Sequence, residues 1–453
     1  MDRIFLYLQA VPWPVLVAGA VVAMSIFIFV PSRWRLPLAL VLMPIWMTLG
    51  RLPDLGMVQA VAKMSGVMAY VFVFAAAILD PGPKRRLPGV VWIYPIMALV
   101  GMVYLPTVTD ALFMMVVQFQ LFVLTLAAIA TVRTVVDEAS LMRIIIPLTV
   151  GVSGALMIPL SALVFNPSEA FAAGLGRFQP YGANQNQIGV LFVLAMPLSL
   201  YLGLRFKSVI LKVAFVGVTA AAIGMSIITA SRSVLIVILM ASVPLGMPIL
   251  RRPIFMGIVG VIGIAVVGYL LSQPSEVNYS RLETLETGRV QIAIEYMGLI
   301  AERPIVGLMA SNGMSALSSE SIGLHPHNVY IEMLYIGGIS YFLPMMIPIL
   351  YSAICAIRVY LGRKDFAIDP ILISMLCAFL IGMYAHGFVN GAILYPTYTW
   401  AWWHVTVSVL MIALAGDLRQ AASAAEVAET YDEEYPESYG DTGEGWEEYK
   451  PAM

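Results

Sequence analysis

Charge is scarce in this chain. Asp, Glu, Lys and Arg make up 11% of its 453 residues, against about 25% in a soluble domain. That deficit excludes a soluble core of this size. Cysteine and histidine are nearly missing too, at two and four residues. Cys355 and Cys377 both fall inside apolar runs, which excludes a disulfide framework and leaves them as small buried hydrophobes. No Asp-x-Asp pair occurs, so the acidic pair that a divalent-metal site wants is not there.

What fills the chain is apolar. Hydrophobic residues account for 60% of it, and runs of about 20 of them recur, the length that crosses a bilayer as a helix. A helix satisfies its own backbone hydrogen bonds in lipid, so an all-α polytopic transmembrane bundle is expected. The runs fall near 11–30, 36–50, 57–79, 88–105, 111–132, 142–164, 187–204, 209–228, 233–249, 253–271, 328–350, 370–393 and 397–416. The second is short enough to be re-entrant, so twelve or thirteen spans are expected. The first lacks a basic leader and a cleavage site and reads as a retained span.

The net charge of -2 conceals an asymmetry. Residues 417–453 hold 11 acidic and two basic side chains, leaving a body, 1–416, of net +7. Such a tail is expected to be disordered and solvated, with docking to a cytoplasmic partner as the alternative. The body's basic residues divide between alternate loops. Fifteen, among them Arg33, Lys84, Arg143, Arg205 and Arg358, fall on one face, and seven on the other. By the positive-inside tendency the richer face and the tail are cytoplasmic, and the pattern does not suit nucleic acid.

The poorer face carries two long segments, 165–186 and 272–326. Loops of that length are usually functional or disordered. Within the second, RVQIAIEYMGLIAE at 289–302 predicts an amphipathic helix on or near the membrane, with Val290, Ile292, Ile294, Met297 and Ile300 as its greasy face. Glu302-Arg303-Pro304 should end it and Gly307 should turn the chain.

Arginine on this face runs against the charge bias and needs a reason. Arg232 sits where one span ends and the next begins, flanked by Ser231 and Ser233. It reads as a snorkelling interface residue or as an anion site. Arg177 lies in a stretch of Gly, amides and aromatics ending at Asn186, suited to an oxygen-rich ligand or to an ordinary polar turn. Arg289 opens the loop helix, where the macrodipole disfavours a cation unless an anion is near. Three guanidiniums on one face suit a diphosphate, and the membrane setting suggests a polyprenyl diphosphate. His327, followed by Asn328 at the start of a span, suits proton transfer from a sugar hydroxyl or a helix cap. His386 and His404, near the outer ends of their spans, read better as caps or satisfied polar residues.

The order and spacing of these segments resemble the O-antigen ligase and polymerase superfamily of bacterial inner-membrane proteins. The likeness rests on His327-Asn328-Val329-Tyr330 followed by Gly337-Gly338, on Thr229-Ala230-Ser231-Arg232, on Gly288-Arg289 leading to Glu302-Arg303-Pro304-Ile305-Val306-Gly307, and on Gly176-Arg177 to Asn186. It covers roughly 165–345. It implies a helical glycosyltransferase fold with a large periplasmic loop, and an undecaprenyl-diphosphate-linked glycan as donor. Arg232 and Arg289 would hold the diphosphate and His327 would activate the acceptor, with inversion and no metal or other cofactor. Arg177, Asn186 and Asn328 are the further substrate-binding candidates. The acceptor would be a growing glycan or a lipid A core. Ligases of this type carry Thr three residues after the glycine matching Gly338, where this chain has Tyr341, so polymerisation of a surface polysaccharide is favoured over ligation. A transporter of lipid-linked sugars and a non-catalytic scaffold are the competing classes. Lys63, in the run 57–79, is the only basic residue well inside a span, and no internal repeat supports transport.

Overall fold

Long apolar runs build helices first, and the helices then sort by where their small and polar residues lie. A computed structural model describes residues 11–103, 111–171, 178–229, 289–307, 328–388 and 399–434. Its helices are α1 (Trp13–Phe29), α2 (Ser32–Leu49), α3 (Met57–Met64), α4 (Gly66–Ile78), α5 (Ile93–Val103), α6 (Ala111–Arg133), α7 (Glu138–Phe165), α8 (Gln185–Arg205), α9 (Val209–Ile228), α10 (Arg289–Glu302), α11 (Val329–Leu361), α12 (Pro370–Gly387) and α13 (Thr399–Glu434). The only β pairing among the described residues is one isolated bridge, Phe171 to Phe178. The protein is an all-α, multi-pass membrane bundle.

Seven of the described helices are long and apolar enough to cross a membrane, or eight if α3 and α4 form one broken span. The expected spans at 233–249 and 253–271 lie outside the described residues. The second run is an 18-residue helix, α2, with Pro37 and Pro44 inside it, and is not among the seven. The run 57–79 bends by 46° between α3 and α4. Ser65 sits at the bend. Its hydroxyl donates to the Val61 carbonyl at 2.6 Å and accepts from the Trp46 indole at 3.0 Å. A side chain that bonds back to its own helix, held by a neighbour, bends that helix.

The acidic tail also begins differently. α13 does not stop at residue 416 but runs on to Glu434. Its extension, Ala421 to Thr430, is rich in alanine and free of glycine and proline, so nothing in its backbone chemistry ends the helix. Residues 435–453 lie outside the described residues.

Backbone proximity decides the packing of α2 on α7. A Cβ on Gly151 would lie 2.4 Å from the Val41 carbonyl oxygen, so only glycine admits this approach. A chain of buried hydroxyls joins four other helices. Tyr94 bonds Ser408 at 2.9 Å, Ser408 bonds Tyr384 at 3.2 Å, and Tyr384 bonds Ser352. In lipid such groups must find one another, and here they fix the register of α5, α11, α12 and α13. Cys355 and Cys377 are free and buried, as read from the sequence.

Polar contacts identify one end of the bundle. Asp80, after α4, accepts from Arg143 of α7 at 2.9 Å. Arg205, at the end of α8, pairs with Glu138 and with Asp369 at 3.5 Å. Arg85 pairs with Asp417 at 2.7 Å. Asp137 caps α7, accepting from the Ser140 N–H at 2.8 Å, while Ser140 Oγ accepts from the Asp137 N–H at 2.9 Å. Asp369 caps α12 in front of Pro370. These residues come from the loops that the sequence assigns to the basic face, and the structure gathers them together.

Candidate functional site

The opposite end holds the described flanks of every candidate residue. Asn328 caps α11, its Oδ1 accepting from the Tyr330 and Ile331 N–H groups at 2.9 and 3.1 Å. This is the capping role that an Asn before a helix predicts, and it occupies the oxygen of a residue expected to bind substrate. Tyr330 reaches α12, donating its hydroxyl to the Tyr384 carbonyl at 2.9 Å, with its ring centroid 4.6 Å from that of Phe388 and tilted 45° to it. The start of α13 lies against the start of α8. Thr399 and Trp400 share a small void with Ile188, Leu191 and Arg51.

Arg289 opens α10, the helix expected over 289–302 with the same bounds. Its packed face differs from the expected one. Tyr296 and Ile300 are buried against Tyr335, with Ile292, Leu299, Ile331 and Leu334 around them, while Ile294 and Met297 are exposed. The rings of Tyr296 and Tyr335 meet edge to face at 5.0 Å. Burial first, and the Glu332 carboxylate second, raise the Tyr296 phenol above its usual range.

Beyond α10 the chain docks into α11. Gly338 breaks that helix with φ 60° and ψ −162°. The N–H groups of Ile339 and Ser340 donate to the carbonyls of Pro304 and Ile305 at 2.8 and 3.1 Å. Gly307, at φ 70°, lies against this break, and a Cβ there would come within 2.6 Å of the Gly338 nitrogen. Two motifs that the sequence shows only as separate glycine signals therefore form one joint. Because Tyr296 meets Tyr335 and Pro304 meets Ile339, α10 and α11 run in the same direction. Their first residues, Arg289 and Val329, emerge at the same end. α10 is thus docked parallel to the part of α11 that precedes the Gly338 break.

A second tie joins the other two segments. The Phe178 N–H donates to the Ile228 carbonyl at 3.0 Å, and Gln179 N–H to Ala170 at 2.7 Å. The first bond holds the residue after Arg177 against the end of α9, four positions before Arg232. Tyr181 is pinned in a left-handed conformation (φ 50°), its hydroxyl 2.8 Å from Ser161 of α7. A non-glycine residue there marks a segment held by its surroundings.

Arg177, Arg232 and His327 lie outside the described residues, as do the side chains of Arg289 and Asn186; the backbone of Asn186 is in the first turn of α8. What the structure brings together is therefore the described backbone around them. Sequence reasoning gave Arg51 no role and passed over Glu332. Arg51 lines two small voids, one shared with Lys63 and Gln120, and its departure from the positive-inside bias was the available signal. Glu332 lies in the first turn of α11, where a carboxylate complements the macrodipole. His386 and His404 are buried in the bundle, and His404 meets the Tyr384 ring edge to face at 5.1 Å.

No family model matches this chain, and no curated protein matches it.

Proposed function

We propose that this protein is a glycosyltransferase of a bacterial inner membrane, working at the periplasmic border of the bilayer with its C-terminus in the cytoplasm. It transfers a glycan from an undecaprenyl-diphosphate donor to an acceptor sugar hydroxyl and so lengthens a surface polysaccharide. His327 takes the acceptor proton, the acceptor oxygen attacks the anomeric carbon, and the bond to the diphosphate breaks with inversion. The lipid diphosphate leaves with the electron pair, its developing charge met by Arg232, Arg289 and Arg177. Asn186 and the amide NH2 of Asn328 hold the glycan.

One observation carries this reading. Four segments distant in sequence, ending or starting beside Arg177, Arg232, Arg289 and His327, are tied in pairs at one end of the bundle. That end is the one poor in basic loops, so the arginines there answer to a ligand rather than to the membrane's charge bias. Tyr341, buried where ligases carry Thr, favours chain extension over ligation to a lipid A core.

The test is turnover by the purified protein in detergent, with a lipid-linked donor and no second compartment. Arg232→Ala and Arg289→Ala should abolish transfer and leave expression intact, and His327→Ala should do the same. Full activity in these variants refutes the reading. Deleting the gene separates the branches: loss of long chains means polymerase, and accumulated lipid-linked polymer with a naked core means ligase.

A further inference from the structure

The other end of the bundle carries a groove of about 1190 Å³ between the start of α2, the turn after α4, the first turns of α7 and the end of α8. Four cations line it, Arg33, Arg143, Arg205 and Lys207. Two have carboxylate partners: Arg143 pairs with Asp80, and Arg205 with Glu138 and Asp369. Arg143 also donates to the Arg33 carbonyl at 3.3 Å. Among the described residues, the side chains of Arg33 and Lys207 make no ion pair, and both are exposed at the mouth. Four cations against the three carboxylates paired with them leave a net charge of +1, with Arg33 and Lys207 as the two cations outside those pairs.

Its walls are of the opposite character. Trp34, Pro37, Ile146 and Pro147 also line it, and Trp34 is 55% exposed. An indole beside guanidiniums, over an aliphatic floor, is the pattern of a membrane interface. Nearby, Val209 and Ile210 at the start of α9 are also largely exposed, which puts the mouth at the level where helices enter lipid. A soluble phosphate would meet the two cations and leave the apolar walls and most of the volume unused. A molecule with a phosphate at one end and an acyl chain at the other uses both.

We propose that this groove seats an anionic phospholipid. Its phosphate lies between Arg33 and Lys207, and an acyl chain runs along Trp34, Pro37 and Ile146. Arg143 with Asp80, and Arg205 with Glu138 and Asp369, frame the headgroup without adding positive charge. The proposal concerns the end of the bundle away from the candidate site and stands without the transferase reading.

Native mass spectrometry of the purified full chain tests it, with phosphatidylglycerol or phosphatidylcholine of identical chains added to the detergent. Wild type should retain phosphatidylglycerol in preference. At about fivefold per basic side chain, Arg33→Ala with Lys207→Ala should weaken retention by roughly 25-fold, while Arg33→Lys with Lys207→Arg should keep it. Lys212→Ala, outside the groove, should change nothing. Should the double alanine variant fail to fold, Arg33→Gln alone should lose about fivefold. Equal retention of the two lipids by wild type overturns the proposal. So does wild-type retention by the alanine and glutamine variants, or an equal loss in Lys212→Ala, which would mean surface charge only. Displacement of the lipid by millimolar sodium phosphate overturns it too, by revealing a site for the free anion.

Discussion

Ile339 donates its backbone N–H to the carbonyl of Pro304 at 2.8 Å. An interior helical residue would donate to its own helix four positions back. The break at Gly338 frees this donor, and the turn after α10 fills it. The bond makes α10 a fixed part of α11 at its far end, as the Tyr296–Tyr335 contact does in its middle.

Gly338→Ala and Gly307→Ala should each destabilise the protein by about 1–3 kcal/mol, the cost of forcing a side chain into such backbone conformations. The Cβ at 338 would also meet the Ile305 carbonyl at 2.5 Å. Since both changes open one joint, the double variant should lose less than the sum. Gly298→Ala, with open space around it, should be neutral or stabilising. Thermal unfolding in detergent reads all four, and additive losses would show that the two glycines do not act together.

Tyr296→Ala removes the ring that seats α10 on α11. On the proposed chemistry it should cut turnover on the order of a hundredfold, because the start of α10 and Arg289 with it lose their placement. Tyr296→Phe should restore the rate, since the contact is through the ring. A wild-type rate in the alanine variant would separate Arg289 from the chemistry.

Arg143→Ala strands the Asp80 carboxylate, whose side chain is 2% exposed. Breaking a buried pair costs roughly 3–5 kcal/mol. Arg143 is itself 44% exposed, and the screening this brings reduces the expected loss to about 2 kcal/mol. Asp80→Asn added to Arg143→Ala should recover most of it. Denaturation midpoints of the single and double variants give the answer.

The Asp137 carboxyl is held below its ordinary 3.8 by hydrogen bonds from Ser140. A depressed carboxyl contributes stability that is full above its unfolded value and lost as pH falls through the folded one. Asp137→Asn keeps a capping oxygen and removes the titration, so its unfolding temperature should lose less than that of wild type on acidification from pH 7 to below 3.8. Parallel acid profiles for the two proteins would deny the cap its role.

Much of the helical layout was legible. The run 209–228 and the helix 289–302 appear with the bounds that hydropathy and the Glu-Arg-Pro stop imply. The packed face of α10 was not. In water, greasy residues point inward, but beside a membrane Ile294 and Met297 are as stable outside as Tyr296 and Ile300 are inside, and periodicity cannot rank them. The bend at Ser65 escaped notice for a related reason: it depends on the Trp46 indole of another helix. At the candidate site, Arg289 and Asn328 were legible as helix starts, while the tie from Phe178 to Ile228 joins two backbones with no side-chain signal at all.

The sequence by itself determined that this chain lives in a bilayer, roughly where its helices run and which loops carry the positive charge. Those properties follow from composition and length, because lipid solvates neither charge nor bare backbone. Only the tertiary structure decided that α10 stands beside α11 with their first residues together, and that Arg33 and Lys207 share a groove. Such placements depend on close backbone approach at glycines and on hydrogen bonds between segments far apart in the chain, and no local pattern of residues encodes them.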